Sequence, residues 1–344
     1  MPSINRILIS RMKFIGDVVL TTPVIRSVRE KFPSAYIAFL GDKQAVSLLE
    51  HNPCIDEIIP FDFSRATIIE QPRVMLQLRK RKFDVFVDLF SNPRTAILAR
   101  ASGAAMRVGK EVGGRGKLYT HRIRDDGHSK SAIEFHYQYV RPLGVEPVHW
   151  KTEIFLTDDE KREAKNYLKW QDLDLEKPIV GLHPGATWPA KRWQWENFAG
   201  LVDLLRAKLN VNVVLTQGPK EQEIVENISR RATANVLALP LMNLRQLAAV
   251  ISQFAVYVSN DAAPMHIGPA VGTKTIGIFG PGEEDIWFPY DRAEGHSALR
   301  RNVACHPCHL DFCNRENEGY MECMKLLSVK DVFEEVRKML AASG

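Results

Sequence analysis

At 344 residues the chain exceeds the roughly 250–300 at which one hydrophobic core stops growing, which predicts two domains and excludes a small stapled scaffold. Hydrophobic residues at 45%, charged residues at 25% and aromatics at 9%, with 19 Pro and 21 Gly, exclude a wholly disordered or collagen-like chain. The net charge of +5 is uneven: residues 1–155 hold 24 Lys and Arg against 16 Asp and Glu, and residues 156–344 hold 22 against 25, so an anionic partner is expected at the N-terminal half.

The first apolar stretch carries Arg6, Arg11, Lys13 and Asp17, unlike a secretory signal, and no uncharged apolar run approaches the roughly 20 residues of a membrane span. A soluble cytoplasmic protein is expected. Strand-like β-branched runs are Arg6–Ser10, Ala35–Gly41, Glu57–Phe61, Phe83–Leu89 and Met106–Gly109. Between the first two, Val18, Thr22, Ile25, Val28 and Phe32 recur at helical spacing until Pro33, predicting one helix there. Residues 100–130 hold eight basic side chains, Arg115 and Lys117 among them, against Glu111, Asp125 and Asp126.

The stretch Val145–Thr157 reads as a linker, ahead of the acidic helix opening TDDEKREA. It divides the chain into 1–155 and 156–344. The second half repeats the alternation with strands near Pro178–His183, Val211–Thr216, Val236–Ala238, Ala255–Ser259 and Thr273–Phe279, and a helix presenting Trp195, Phe198, Val202, Leu205 and Leu209. Two α/β domains with parallel sheets follow. A last amphipathic helix, with Val329, Val332, Phe333, Val336 and Leu340 on its apolar face, is left open to packing on either domain.

Three strand–loop–helix junctions could carry chemistry, since open α/β sheets bind ligands at the carboxyl ends of their strands. The first ends Gly16-Asp17: the carboxylate gains from the helix terminus and could accept a proton from a substrate hydroxyl, or it could simply cap the helix. Gly16 either lets a ligand approach or permits the turn. In the second, PIVGLHPGATWPAKRWQWENF, the residues His183, Thr187, Lys191 and Arg192 offer donors to phosphate oxygens. Neither GxxxxGK[ST] nor GxGxxG occurs there, which disfavours ordinary NTPase or nicotinamide chemistry. The third, SNDAAPMHIGPAVG, sets Asp261, Ala262, Ala263 and His266 at a helix start that could face a diphosphate, with a cap and a packed histidine as the plainer alternatives.

Through FIGDVVLTTPVI, HPGATWPAKRW, SNDAAPMHIGPAVG and the later FGP, the chain resembles glycosyltransferase family 9, the heptosyltransferases of lipopolysaccharide inner-core assembly, over about residues 5 to 340. The resemblance implies a GT-B architecture, two Rossmann-like domains whose parallel sheets face an interdomain cleft, with acceptor on the N-terminal domain and nucleotide-sugar on the C-terminal one. It implies inverting, metal-independent transfer of heptose from ADP-heptose to an anionic lipid-linked oligosaccharide, with Asp17 as catalytic base. Lys191, Thr187, Asp261, Ala262, Ala263 and His266 fall on donor positions, and Met242 on the family's adenine pocket. The chain departs from many members in Ile267-Gly268-Pro269-Ala270 after His266, where the Pro could kink the helix. Arg94, Arg115 and Lys117 are the acceptor candidates, because forked and basic donors match carboxylates and phosphates.

The donor is then a substrate, and no cofactor and no catalytic metal are expected. The spacing C-x2-C-x4-C-x9-C over Cys305, Cys308, Cys313 and Cys323 would suit a structural zinc or iron–sulfur site, free thiols or, last, disulfides; Cys54 reads as an ordinary buried thiol. Peripheral contact with the cytoplasmic face of the inner membrane is expected, although no amphipathic anchor helix is evident. The rival readings are a family relative using another nucleotide-sugar, a nucleotide-sugar sensor without activity, and a basic α/β protein binding nucleic acid. The last lacks aromatics interleaved with its basic stretch and is not expected.

Overall fold

The computed structural model describes residues 4–65, 67–124, 127 and 130–342. The chain forms two compact units, Met1–Phe155 and Leu156–Gly344, each built on a six-stranded sheet in which every strand pair is parallel.

In the first unit the strands are β1 (Arg6–Arg11), β2 (Tyr36–Asp42), β3 (Glu57–Phe61), β4 (Val85–Asp88), β5 (Met106–Lys110) and β6 (His121–Ile123). The helices are α1 (Ile15–Val19), α2 (Thr22–Lys31), α3 (Thr67–Arg81), α4 (Pro93–Ser102) and α5 (Ala132–Val140). The sheet order β3-β2-β1-β4-β5-β6 reverses direction between β1 and β4, where the register sets Leu8 beside Phe86 and Ser10 beside Asp88. Leu8, Leu40, Phe86 and Leu98 are sealed in one core.

The single helix expected over residues 18–32 is broken in two. Pro23 has no N–H to donate back and suits the start of a helix rather than its interior; accordingly α2 carries it in its first turn, and the Thr21 hydroxyl donates to the Val18 carbonyl at 2.6 Å. The apolar face survives the break, with Val18, Ile25 and Val28 fully buried.

The second unit holds β7 (Ile179–His183), β8 (Asn212–Leu215), β9 (Leu237–Ala238), β10 (Val256–Asn260), β11 (Lys274–Ile278) and β12 (Ser297–Leu299). Its helices are α6 (Asp158–Trp170), α7 (Trp195–Lys208), α8 (Gln222–Arg231), α9 (Leu244–Ile251), α10 (Pro264–Ala270), α11 (Glu284–Trp287), α12 (Glu322–Lys325) and α13 (Val329–Ala341). The order β12-β11-β10-β7-β8-β9 repeats the topology of the first sheet, with its reversal between β7 and β10. The acidic opening TDDE becomes a capping box at α6, Thr157 with Glu160, and Glu160 also receives both arms of Arg245 on α9 at 2.5 and 2.6 Å. That fork holds the Glu160 carboxyl down at about 2. Helix α13 packs on α7 and on β10 and β11, setting Val332 and Val336 in the same core as Phe198 and Val202, so the last helix belongs to the second unit.

Both three-residue edge strands escape sequence reading because HRI and SAL carry no alternating apolar pattern.

Candidate functional site

In the first unit, the chain leaves β1 at Arg11 and enters α1 four residues later, at Ile15. Asp17 stands in the first turn of α1 and accepts the Phe14 N–H at 3.2 Å, so the capping role is real. Its other oxygen is ion-paired with Arg11. Arg11 in turn donates to the Leu89 carbonyl at 2.7 Å and lies 5.1 Å from the Phe90 ring centre, tying the ends of β1 and β4 together at the reversal of the sheet. An ionised carboxylate has about four lone-pair positions, so a cap and one ion pair leave room for a further donor. Asp17 is 9% exposed. Gly16 is helical and has no left-handed backbone.

Beneath this pair lies His136, fully enclosed, its Nδ1 3.4 Å from the Leu20 carbonyl. Burial, with the charge of Arg11 added, drives its pKa down to about 3. His183 and His266 are lowered by burial too. Unfolded histidines titrate near 6.5, so below that pH the unfolded chain binds more protons than the folded one, and stability falls on acidification by up to about 1.4 kcal/mol per pH unit for each histidine. Buried Asp88 and Asp261, raised by burial, act with the opposite sign. Urea titrations of wild type and His136→Leu at pH 7 and pH 5.5 should therefore show the smaller acid loss in the variant. Equal losses would mean that His136 is charged in the fold.

The turn after β4 is organised by Asp88, which accepts the N–H groups of Phe90 and Ser91 at 3.1 and 2.9 Å and the Tyr119 hydroxyl at 2.6 Å. Arg94 then projects from the first turn of α4, 5.3 and 5.0 Å from the Phe61 and Phe63 ring centres, and donates to the Thr67 hydroxyl at 3.1 Å. Arg115 donates to the Ser91 carbonyl at 3.0 Å. The structure thus gathers Arg94 and Arg115 around one turn, while Lys117 stays exposed on the turn Gly113–Leu118. Elsewhere in the basic stretch Arg107 is held by the carbonyls of Ala104 and Leu118, and Arg122 and Arg124 pair with Glu111; Asp125 and Asp126 lie outside the described residues.

In the second unit, the loops after β7 and β10 meet at the sheet reversal. Lys191 Nζ lies 2.6 Å from Asp261 Oδ2 and 4.6 Å from the Trp188 ring centre. Burial raises the Asp261 carboxyl, against the pull of Lys191. A Cβ on Gly282 would come within 2.8 Å of that carboxylate, so glycine there is needed for close approach of the loop after β11. His266 shares a hydrogen bond with the Tyr290 hydroxyl at 2.9 Å; burial first, and Lys191 second, lower its pKa to about 3. Ala262 and Ala263 lead into α10 half-buried, and Thr187 is exposed at the crest of the loop.

Asn260 fixes this loop at both ends: its amide donates to the Pro184 carbonyl at 2.8 Å and its carbonyl accepts the Trp193 N–H at 3.1 Å. Arg192 closes it further by donating to the Ala186 carbonyl at 2.8 Å. His183, a phosphate donor by sequence reading, is otherwise engaged, with Nδ1 3.0 Å from Thr216 Oγ1 and Nε2 3.4 Å from Glu221. Gly185 leaves the space that the Glu221 carboxylate fills, since a Cβ there would lie within 2.1 Å of its oxygens. Pro269 stands one residue before the end of α10 at Ala270, and Gly268 lets the helix approach Thr275. With seven residues and Pro264 in its first turn, α10 contributes less N-terminal charge than the expected helix start, and Lys191 becomes the main cation of the cluster.

The family model for glycosyltransferase family 9 (heptosyltransferase) matches residues 72–317, more than half of the chain. The chain belongs to glycosyltransferase family 9. It is 28% identical over 292 residues to lipopolysaccharide heptosyltransferase 3 of Escherichia coli, a match covering 81% of this chain and 84% of that one. Its fold is shared with the family 9 glycosyltransferase of Veillonella parvula, at a TM-score of 0.87 and 24% identity, covering 98% and 97% of the two chains. ADP-heptose lipopolysaccharide heptosyltransferase II of E. coli matches at a TM-score of 0.80 and 21% identity, covering 98% and 99%. This glycosyltransferase therefore has the GT-B-type pair of parallel α/β sheets.

Several partners of the family 9 motifs were invisible to sequence reading: Arg11 for Asp17, Tyr290 for His266, and Asn260 as the strut of the Lys191 loop. Met242, half-buried in the loop between β9 and α9, leaves the same carboxyl edge of the sheet as the Lys191 loop. All five cysteines are free thiols and Cys54 is half-buried rather than enclosed. Among the described residues no three His, Cys, Asp or Glu side chains are arranged to hold a metal ion.

Proposed function

We propose that this family 9 enzyme transfers heptose from ADP-heptose to a hydroxyl of the lipid-linked inner-core oligosaccharide of lipopolysaccharide, with inversion and without a catalytic metal. The observation that carries the reading is the Lys191–Asp261 ion pair at 2.6 Å, beside His266 at the reversal of the second sheet. An ammonium has three donors, and Asp261 uses one, so two can meet diphosphate oxygens. His266, neutral above about pH 3, can share a hydrogen bond without adding charge. Thr187, Ala262 and Ala263 border this cluster in sequence, and Met242 is assigned to the base.

In the proposed reaction the acceptor oxygen attacks the anomeric carbon from the face opposite ADP. The new C–O bond forms as the carbon–phosphate oxygen bond breaks, the electron pair leaves on ADP, and the hydroxyl proton passes to Asp17. Lys191 stabilises charge growing on the diphosphate, a task that a divalent cation performs elsewhere. Arg94, Arg115 and Lys117 hold the anionic groups of the acceptor. The enzyme is placed at the cytoplasmic face of the inner membrane by peripheral contact, consistent with the absence, among the described residues, of any helix long and apolar enough to cross it.

Mass spectrometry of a truncated core acceptor incubated with ADP-heptose and with UDP- and GDP-sugars tests the donor. A heptose adduct from ADP-heptose alone is expected; transfer from another nucleotide-sugar would reassign the substrate within the family. The same reaction after exhaustive chelation should run undiminished. Activity lost on chelation and restored by Mg²⁺ or Mn²⁺ would refute the metal-independent step.

A further inference from the structure

Helix α3 has two apolar stripes. Val74 and Leu78, with Glu70, face the core and are buried. Ile68, Ile69 and Leu76 are 82%, 63% and 65% exposed, with Pro72 exposed between them. At about 100° per residue, Ile68, Pro72 and Leu76 centre on the side of the helix opposite Glu70, Val74 and Leu78. Two opposed stripes cancel in a search for one amphipathic face, so no anchor helix was evident from sequence. Exposed Ile and Leu concentrated on one face mark an interaction surface rather than scattered surface apolarity.

The charge around that face is positive. Arg79 and Lys80 close the helix and Lys82 follows, all three exposed. The nearby acids are already matched: Glu70 pairs with Arg73, Asp62 with Lys43 and Arg65, and Glu57 with Arg81. An apolar strip ending in cations that no carboxylate pairs with among the described residues is complementary to the acyl boundary and headgroups of an anionic leaflet. Position agrees, because Thr67, the first residue of α3, accepts the hydrogen bond from acceptor candidate Arg94. We propose that the outer face of α3, through Ile68, Ile69 and Leu76 with Arg79 and Lys80, docks on anionic phospholipid and so brings the Arg94 region to the membrane surface where a lipid-linked acceptor lies. This rests on the membrane contact proposed above and names the surface that makes it.

The full-length protein should co-sediment with phosphatidylglycerol-containing vesicles and far less with pure phosphatidylcholine. Ile68→Ser/Ile69→Ser/Leu76→Ser should lower the partition coefficient at least about tenfold. Arg79→Gln/Lys80→Gln should lower it about fivefold per charge, an effect that vanishes at high salt. Both variants replace exposed side chains and should keep the wild-type melting temperature and wild-type turnover of a water-soluble acceptor fragment. Wild-type vesicle binding by both variants overturns the proposal. A change in oligomeric state with vesicle binding intact would show that the face is occupied by a second copy, and also overturns it. Vesicle binding lost in the variants while wild type transfers no heptose would refute the proposed reaction and leave the docking surface standing.

Discussion

Asp17→Asn is expected to retain ADP-heptose binding and lose transfer by about 10²–10⁴-fold, the usual share of a positioned general base. The amide keeps only one of the two oxygens that meet Phe14 and Arg11; with that oxygen on the Phe14 N–H the entry to α1 should persist, and Arg11 loses its acceptor. The amide has no basicity with which to take the acceptor proton. Arg11 loses its matching charge in a half-buried setting, and stability should drop by about 1–3 kcal/mol, which a thermal melt reads separately from rate. The capping alternative makes a different prediction. If Asp17 only closes the helix, as its hydrogen bond to Phe14 at 3.2 Å permits, Asn should support full turnover, and Asp17→Ala should lose activity only as far as it unfolds. Turnover of the Asn variant at the wild-type level would remove the base assignment.

What could be read from the sequence was periodic, and what could not was tertiary. Long buried strands such as Ile179–His183 announce themselves as β-branched runs bounded by turn residues, and the Gly16-Asp17, Lys191 and Asp261 junctions follow because each is adjacent to such a run. The edge strands HRI and SAL are three residues long, too short for apolar alternation to show, and each is held by a single neighbour. The split of the first long helix had a local signal in Thr-Thr-Pro, outweighed by an apolar face that runs through the break. Arg11 and Asp17 are only six residues apart, yet their pairing depends on the turn after β4, where the Leu89 carbonyl holds the other arm of the arginine. Asn260 reads as one polar residue in SNDAAP, and its function as a strut exists only because the loop after β7 returns past the end of β10. His183 went astray for the same reason: its donors are visible in the sequence, its partners Thr216 and Glu221 are not.

Lys191→Ala should weaken ADP binding and lower kcat/KM for heptose transfer by about 10²–10³-fold, the usual cost of removing one preorganised charge stabiliser, with little change in acceptor affinity. The expectation comes from the environment of the ammonium. It lies 2.6 Å from a carboxylate that burial already raises and 4.6 Å from the Trp188 ring centre, so it has little freedom of orientation. Without the lysine, Asp261 loses the cation that opposes its desolvation, its pKa rises further, and the pocket presents a reluctant carboxylate where a diphosphate needs positive charge. His266 cannot substitute, since burial lowers its pKa to about 3 and leaves it uncharged at neutral pH. Lys191→Arg should recover only part of the loss, because a planar fork does not reproduce a compact charge between Asp261 and an indole face. Calorimetry with ADP, set beside acceptor KM, separates the two functions the lysine could have. A selective loss of ADP affinity assigns it to the diphosphate; equal losses for donor and acceptor would make Lys191 a structural partner of Asp261 and return the donor site to the other loops of the sheet.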